Sequence, residues 1–95
     1  MAETNKTYIK VVGKSMLPTL KPGEVYLVKA KKTYKVNDLC VIVVTERKEP
    51  KTVIKRLVKI ENGNYFFESD NMDKLNGVSQ NYVVTKDCIC GTIKV

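Results

Sequence analysis

The sequence has no histidine and no tryptophan among its 95 residues. Without histidine, a Ser-His-Asp triad, a Cys-His pair and the usual zinc sites are all excluded. A general base that works near neutral pH must then be a lysine, a carboxylate, a cysteine or a chain terminus. This absence narrows the enzyme classes to which the chain can belong.

Cysteine is also scarce, with only Cys40, Cys88 and Cys90 present. An odd number of cysteines argues against a disulfide framework and favours a reducing compartment. Cys88 and Cys90 lie two positions apart in a predicted strand, so we expect them to share one face of it. Because no second pair of ligands accompanies them, we interpret all three as structural thiols and predict no metal.

Long apolar stretches are missing too. The longest uncharged apolar run, residues 39–44, has the length of a strand, whereas a membrane-spanning helix needs about 20 apolar residues. Residues 1–10 are polar and charged, unlike a signal peptide. We therefore expect a soluble, cytoplasmic protein.

Positive charge is in excess, with 17 Lys and Arg against 10 Asp and Glu, a net charge of +7. Such a balance is typical of proteins that bind nucleic acids or anionic membranes. Here the basic residues are spread along the chain, and only Lys29, Lys31, Lys32 and Lys35 form a dense group. We interpret the excess as a solvated surface, with weak association to anionic membranes through this group as a secondary hypothesis. Nucleic-acid binding is disfavoured because only 7% of the residues are aromatic.

Valine and isoleucine occur in short runs, a pattern that favours strands because their branched side chains suit a pleated sheet. Turn signals separate the runs, and Asn62-Gly63 is a strong hairpin signal. Polar turns or loops are expected at residues 46–51, around Pro50, and at residues 69–81. The predicted strands are residues 8–12, 24–30, 38–45, 52–60, 65–68, 82–85 and 88–95. This pattern predicts one all-β domain over residues 1–95, a small barrel or coiled sheet, with residues 1–6 frayed.

Ser15 is the first residue whose context suggests chemistry. It follows the first predicted strand, between Gly13, which permits unusual backbone dihedrals, and Pro18, which stiffens the chain. A fixed turn of this kind suits a nucleophile, because reaction rates depend on close placement of the reacting atoms. Its backbone N–H groups are candidates for an oxyanion hole.

Lys55 is the second such residue. Val53, Lys55 and Leu57 alternate along a predicted strand and therefore share a face. A lysine on an apolar face has a lowered pKa, because burial disfavours the ammonium ion. A neutral lysine can then accept a proton from a serine hydroxyl. A turn serine and an edge lysine are common without any catalytic role, so the residues alone leave both interpretations open.

The segment Gly13-Lys14-Ser15-Met16-Leu17-Pro18-Thr19-Leu20 resembles the nucleophile box of type I signal peptidases and of LexA-like self-cleaving repressors. Three further segments, in the same order, are similar to later boxes of that superfamily: residues 22–28, residues 53–57 around Lys55, and the final residues 90–95. The resemblance covers the chain from about Tyr8 to its end. Four ordered segments make it far more specific than any single one.

The resemblance implies a LexA-like or signal-peptidase-like all-β fold and a serine endopeptidase. Ser15 would be the nucleophile and Lys55 the general base, with no metal or organic cofactor. Gly13, Met16 and Pro18 would shape the oxyanion turn and the floor of the site. The substrate would be a polypeptide bound as an extended strand and cut after a small residue.

The sequence also departs from these relatives. Residues 69–73 begin like a later signal-peptidase segment, but Leu75 stands where a lysine-orienting serine is expected. We therefore interpret residues 69–73 as a polar turn that closes the fifth strand. Only fourteen residues precede Ser15, too few for the DNA-binding domain and cleavable linker of a repressor, so self-cleavage is not expected. The alternative function is a non-catalytic module that binds a partner or forms a homodimer through edge strands.

Overall fold

The structure is a computed structural model, and it describes residues 7–71 and 81–95. The strands are β1 (Thr7–Lys10), β2 (Val25–Val28), β3 (Leu39–Glu46), β4 (Glu49–Glu61), β5 (Asn64–Glu68), β6 (Tyr82–Thr85) and β7 (Ile89–Ile93). A 3-10 turn, Lys86–Cys88, precedes β7. The described part of the chain contains no α-helix, so the all-β prediction is confirmed.

Five of the strands form an antiparallel sheet in the order β6-β5-β4-β3-β7. Its central hairpin joins β3 to β4 through Arg47 and Lys48, both of which have positive φ angles. The turn predicted over residues 46–51 is therefore shorter than expected, because Pro50 lies inside β4 opposite Thr45. This part of β4 has β3 on one side only, and β5 pairs with β4 from Arg56 onward. Proline is tolerated at such an edge, where its missing N–H removes no ladder bond.

The first two strands pair with each other and form a separate two-stranded sheet. Lys29, just beyond β2, bridges to Thr92 of β7 through two main-chain hydrogen bonds of 2.8 and 2.9 Å. Gly91 makes this close approach possible, since a Cβ atom there would lie 2.6 Å from the Lys29 carbonyl oxygen. Glycine at this position thus lets the small sheet attach to the edge of the large one.

The hydrophobic core has two parts, on opposite faces of β3. Leu39 and Val41 contribute to the first part, which lies beneath the segment after β1 and includes Met16 and Leu20. Cys40, Ile42 and Val44 contribute to the second, around Leu57 and Phe67. Alternation along a strand sends neighbouring side chains to opposite faces. The prediction that the third strand is buried on both faces is therefore confirmed.

The cysteines differ from the prediction in one respect. Cys88 lies in the 3-10 turn and not in the strand, so Cys88 and Cys90 are not same-face neighbours of one strand. Cys40 is buried, and burial raises the pKa of its thiol to about 12. In the described residues, neither a group of three or more potential metal ligands nor a helix able to cross a membrane is present.

Candidate active site

The segment between β1 and β2 forms the turn that carries Ser15. Gly13 enters it with φ +82°, a left-handed conformation that favours glycine, and the Leu17-Pro18 peptide bond is cis. The N–H of Leu20 donates to the carbonyl of Met16 at 2.9 Å. The Met16 side chain is 2% exposed, so it anchors the turn in the core and leaves Ser15 half-buried beside it.

Ser15 meets Lys55 across 40 residues of chain. The Nζ atom of Lys55 donates a hydrogen bond to the Ser15 Oγ at 2.8 Å. When the amine is neutral, the same contact can run in the other direction, with the hydroxyl as donor. The distance lies within the range required for direct proton transfer between a nucleophile and its base.

Lys55 is a buried lysine, with 4% of its surface exposed. Burial lowers its pKa from the ordinary value, and the positive charge of Lys51 lowers it further. The Tyr82 ring lies nearby, with its centroid 5.9 Å from Nζ. Burial and the Lys51 charge both enlarge the fraction of neutral amine near physiological pH. The neutral amine is the form that accepts a proton.

Arg56 follows Lys55 in β4 and faces the other way. Its Nε and Nη2 atoms donate to the two carboxylate oxygens of Asp70 at 2.8 and 2.7 Å, and Nη1 donates to the Asn37 carbonyl at 2.8 Å. The Thr19 hydroxyl donates to Asp70 at 2.5 Å. These bonds to the charged form hold the pKa of Asp70 below its usual value, with the guanidinium as the largest cause.

The segment after β5 packs directly on the Ser15 turn. The N–H of Asn71 donates to the Ser15 carbonyl at 2.8 Å, and its side-chain amide donates to the Lys14 carbonyl at 2.8 Å. The N–H of Asp70 points to the sulfur of Met16 at 3.4 Å. Residues 69–71 are thus more than the polar turn that the sequence indicated, because they fasten the nucleophile turn to β4 through Arg56.

A groove of about 730 Å³ opens at the two residues. One wall is β1 with the residues up to Met16, and the other is the 51–55 stretch of β4, with Tyr82 and Cys90 nearby. β1 has β2 on its other side, and the 51–55 stretch has β3 on its other side. Within residues 7–71 and 81–95, no strand pairs with the groove-facing edge of either wall. An extended peptide would therefore find free main-chain groups on both sides.

The structure brings together four of the five residues singled out from the sequence. Gly13, Ser15, Met16 and Lys55 all line the groove, and Met16 lies beneath the turn. Pro18 is in the turn, but it is exposed and does not line the groove, so its contribution to the floor of the site stays a prediction.

Sequence reasoning missed several contributors. The local sequence pattern does not distinguish Asp70 or Thr19, and it places Tyr82 only in a strand. The available signal is the Ser69-Asp70-Asn71 segment, which is similar to the beginning of a signal-peptidase box. Leu75, which stands where the resemblance leads us to expect a serine, belongs to residues 72–80, and these lie outside the described residues. Residues 1–6, which are predicted to be frayed, lie outside them as well.

Comparison with known proteins identifies a family. The family model described as Peptidase S24-like matches residues 1–86, which include both Ser15 and Lys55. Curated proteins and solved structures gave no match. The match spans most of the chain and agrees with the all-β fold, and the resemblance to the LexA-like and signal-peptidase superfamily is confirmed. The chain therefore belongs to the Peptidase S24-like family.

Proposed function

We propose that the protein is a serine endopeptidase that uses Ser15 as nucleophile and Lys55 as general base. The observation that carries this proposal is the 2.8 Å contact between the Ser15 Oγ and the Nζ of a lysine that is 4% exposed. A charged lysine is costly to bury, and its position against a hydroxyl in an open groove is poorly explained by stability alone. Membership of a peptidase family supports the same conclusion.

In the reaction, neutral Lys55 accepts the Ser15 hydroxyl proton while Oγ attacks the carbonyl carbon of the scissile peptide. The C–O bond forms and the carbonyl π electrons move to oxygen, which gives an oxyanion. No described residue bonds to the Ser15 N–H, so this donor is available to stabilise that charge. The C–N bond then breaks, and Lys55 passes its proton to the leaving amine. Water, deprotonated by Lys55, hydrolyses the resulting ester and regenerates Ser15.

The groove supports an extended polypeptide as the substrate. A strand inserted between β1 and the 51–55 stretch of β4 would satisfy main-chain groups of both walls. Met16 lies beneath Ser15 at the groove, and the resemblance to signal peptidases implies a small apolar pocket for the residue before the cut. Preference for alanine or glycine there is part of the proposal.

The test is acylation by a β-lactam or penem probe, followed by intact mass measurement from pH 6 to pH 10. We expect one adduct per chain, absent in Ser15→Ala and in Lys55→Met. Lys59→Met is a matched control, because Lys59 is an exposed lysine of the same strand and should leave the adduct unchanged. Cleavage of a peptide library with alanine at the central position then tests the reaction itself.

An absence of adduct and of cleavage at every pH, with the protein folded, would contradict the proposal. The second candidate would then stand: a non-catalytic module that holds an extended peptide or a second copy through its free strand edges. No strand of the described residues pairs with the groove-facing edges of β1 and of residues 51–55 of β4, which favours this alternative. Sedimentation equilibrium together with peptide binding by the Ser15→Ala variant distinguishes a homodimer from a peptide-binding module.

A further inference from the structure

Among the described residues, the charged side chains that line the groove beside Ser15 are all positive. Its lining includes Lys10, Lys14, Lys51 and Lys55, and no aspartate or glutamate among the described residues lines it. A groove lined by one sign of charge concentrates the opposite charge from solution. Lys55 is buried and hydrogen-bonded to Ser15, so we expect the other three lysines to contact the charged groups of a bound chain.

Two of these lysines are free to meet a ligand. The side chains of Lys10 and Lys14 form no ion pair with any residue of the described ranges, and both are exposed. Lys14 directly precedes Ser15 and lines the groove, so a chain bound at Ser15 would pass beside it. Lys51 has one partner, Glu46, at 3.5 Å, and both side chains are more than a third exposed. The Glu46 oxygen of this pair is shielded from solvent, but a contact of 3.5 Å between two side chains this exposed contributes little.

Two acidic side chains of the described residues, Asp70 and Glu46, act near the site, and each has a cationic partner. Asp70 is neutralised by the two-pronged contact with Arg56 on the far side of β4. Glu46 lies at the end of the hairpin, paired with Lys51. Between the lysines the groove surface is apolar, with Tyr8 59% and Val12 85% exposed. The surface thus offers apolar contact to some positions of a bound chain and positive charge to its flanks.

On the basis of the proposed peptidase function, we propose that the groove selects polypeptides that carry acidic residues flanking a small residue at the cut. Each contact would be an exposed pair between a lysine ammonium group and a carboxylate, individually weak. Several such pairs add to the affinity and speed up encounter, and salt weakens both effects. The preference therefore acts mainly on binding and leaves the chemical step largely unchanged.

The test separates selection from catalysis by using the Ser15→Ala variant. Two labelled twelve-residue peptides share an alanine-rich centre, and one carries three flanking glutamates where the other carries glutamines. Fluorescence anisotropy at about 20 mM salt should show roughly 3- to 10-fold tighter binding of the glutamate peptide, and the difference should largely vanish at about 0.5 M salt.

Charge-matched variants locate the effect. In the Ser15→Ala background, Lys10→Gln combined with Lys14→Gln should remove most of the preference for glutamate. Lys32→Gln combined with Lys35→Gln loses the same charge outside the groove and should keep the preference. Equal affinities for the two peptides, no binding of either, or an equal loss in both double variants would overturn the inference.

The binding test uses the Ser15→Ala variant, so its result does not depend on catalytic turnover. Glutamate-selective binding by a protein that forms no acyl adduct would contradict the proposed peptidase function and leave the inference standing for a peptide-binding module. Cleavage of both peptides with equal kcat/KM, together with equal binding, would leave the peptidase function standing and remove the inference.

Discussion

Arg56 and Asp70 form a two-pronged ion pair, with nitrogen-oxygen distances of 2.8 and 2.7 Å, and this pair lies one strand position away from Lys55. Arg56 belongs to the same strand as Lys55, and Asp70 adjoins the residue that bonds to the Ser15 carbonyl. The pair therefore ties the strand of the base to the turn of the nucleophile, although neither side chain touches the reacting atoms.

Asp70→Asn should accordingly weaken both stability and activity. It removes a partly buried charge partner of Arg56, so we expect a loss of about 1–3 kcal/mol in the free energy of unfolding at pH 7. The rate of acylation of Ser15 should fall as well, because the turn loses its tether. Urea unfolding and probe kinetics measure the two effects.

Thr19→Val, which removes only the hydroxyl bond to Asp70, is the milder comparison, with an expected loss of about 1 kcal/mol in the free energy of unfolding. Wild-type stability and rate in Asp70→Asn would show that the pair positions nothing.

Activity should depend on pH through Lys55. Because burial and Lys51 lower the pKa of Lys55, the acylation rate should rise with pH and reach half its maximum below the ordinary lysine pKa of about 10.5. Lys51→Gln removes a repulsive charge and should move this midpoint to higher pH. The control Lys59→Gln removes a lysine of the same strand and should leave the midpoint in place. A midpoint unmoved by Lys51→Gln would show that burial alone sets the pKa.

Lys55 should also make stability depend on pH, with a definite sign. The folded state lowers the pKa of Lys55, so the unfolded chain binds more protons in the window between the folded and unfolded pKa values. The burial penalty is fully present below the folded pKa and disappears as pH rises through the unfolded value.

Lys55→Met should therefore leave stability unchanged or raise it by roughly 1 kcal/mol at pH 7, because it replaces a buried ammonium group with an apolar chain of similar length. The difference from the wild type should shrink towards pH 10. Urea unfolding of both proteins at several pH values measures it. A variant that is clearly less stable at pH 7 would mean that the contact with Ser15 outweighs the cost of burial.

Much of the fold is predictable from the sequence, because alternation and turn residues act locally. The Asn62-Gly63 turn lies between β4 and β5 as predicted, and the buried run in β3 was predicted from its apolar residues alone. The turn predicted over residues 46–51 is confined to Arg47 and Lys48 in the structure, because Pro50 suggested a longer break where the edge of the sheet accepts a proline. Geometry imposed by neighbouring strands prevailed over local preference there.

The site was predictable only in part, for a different reason. Ser15 and Lys55 carry local signals, a glycine-bounded turn and a lysine in an apolar strand. Asp70 looks like any polar residue after a strand, and only the fold reveals that Arg56 and Thr19 surround it. Contacts between distant segments leave little trace in the local pattern of a single sequence.

Gly91 offers a test of how the two sheets are joined. A methyl group at Gly91 would lie 2.6 Å from the Lys29 carbonyl oxygen and 2.8 Å from a Val28 methyl carbon. Gly91→Ala should therefore cost about 2–4 kcal/mol of unfolding free energy, since main chain must shift and the Lys29–Thr92 bridge opens.

Gly63→Ala is the comparison for Gly91→Ala. It introduces a left-handed alanine into open space, for which about 1–2 kcal/mol is expected. Denaturant midpoints rank the two variants. A smaller loss of unfolding free energy in Gly91→Ala than in Gly63→Ala would show that the main chain at the junction of the two sheets shifts at little cost.

The tip of the hairpin between β3 and β4, Arg47 and Lys48, is exposed. It divides the chain so that Ser15 lies on one side and Lys55 on the other. A break at this tip would yield two fragments, each chemically inert because each holds one half of the pair. The two fragments would have to form the eight residue pairs between β3 and β4, from Leu39 with Arg56 to Glu46 with Glu49, before the Ser15 hydroxyl could contact the Lys55 amine. Serine reactivity in such a mixture would be a direct reporter of fragment complementation.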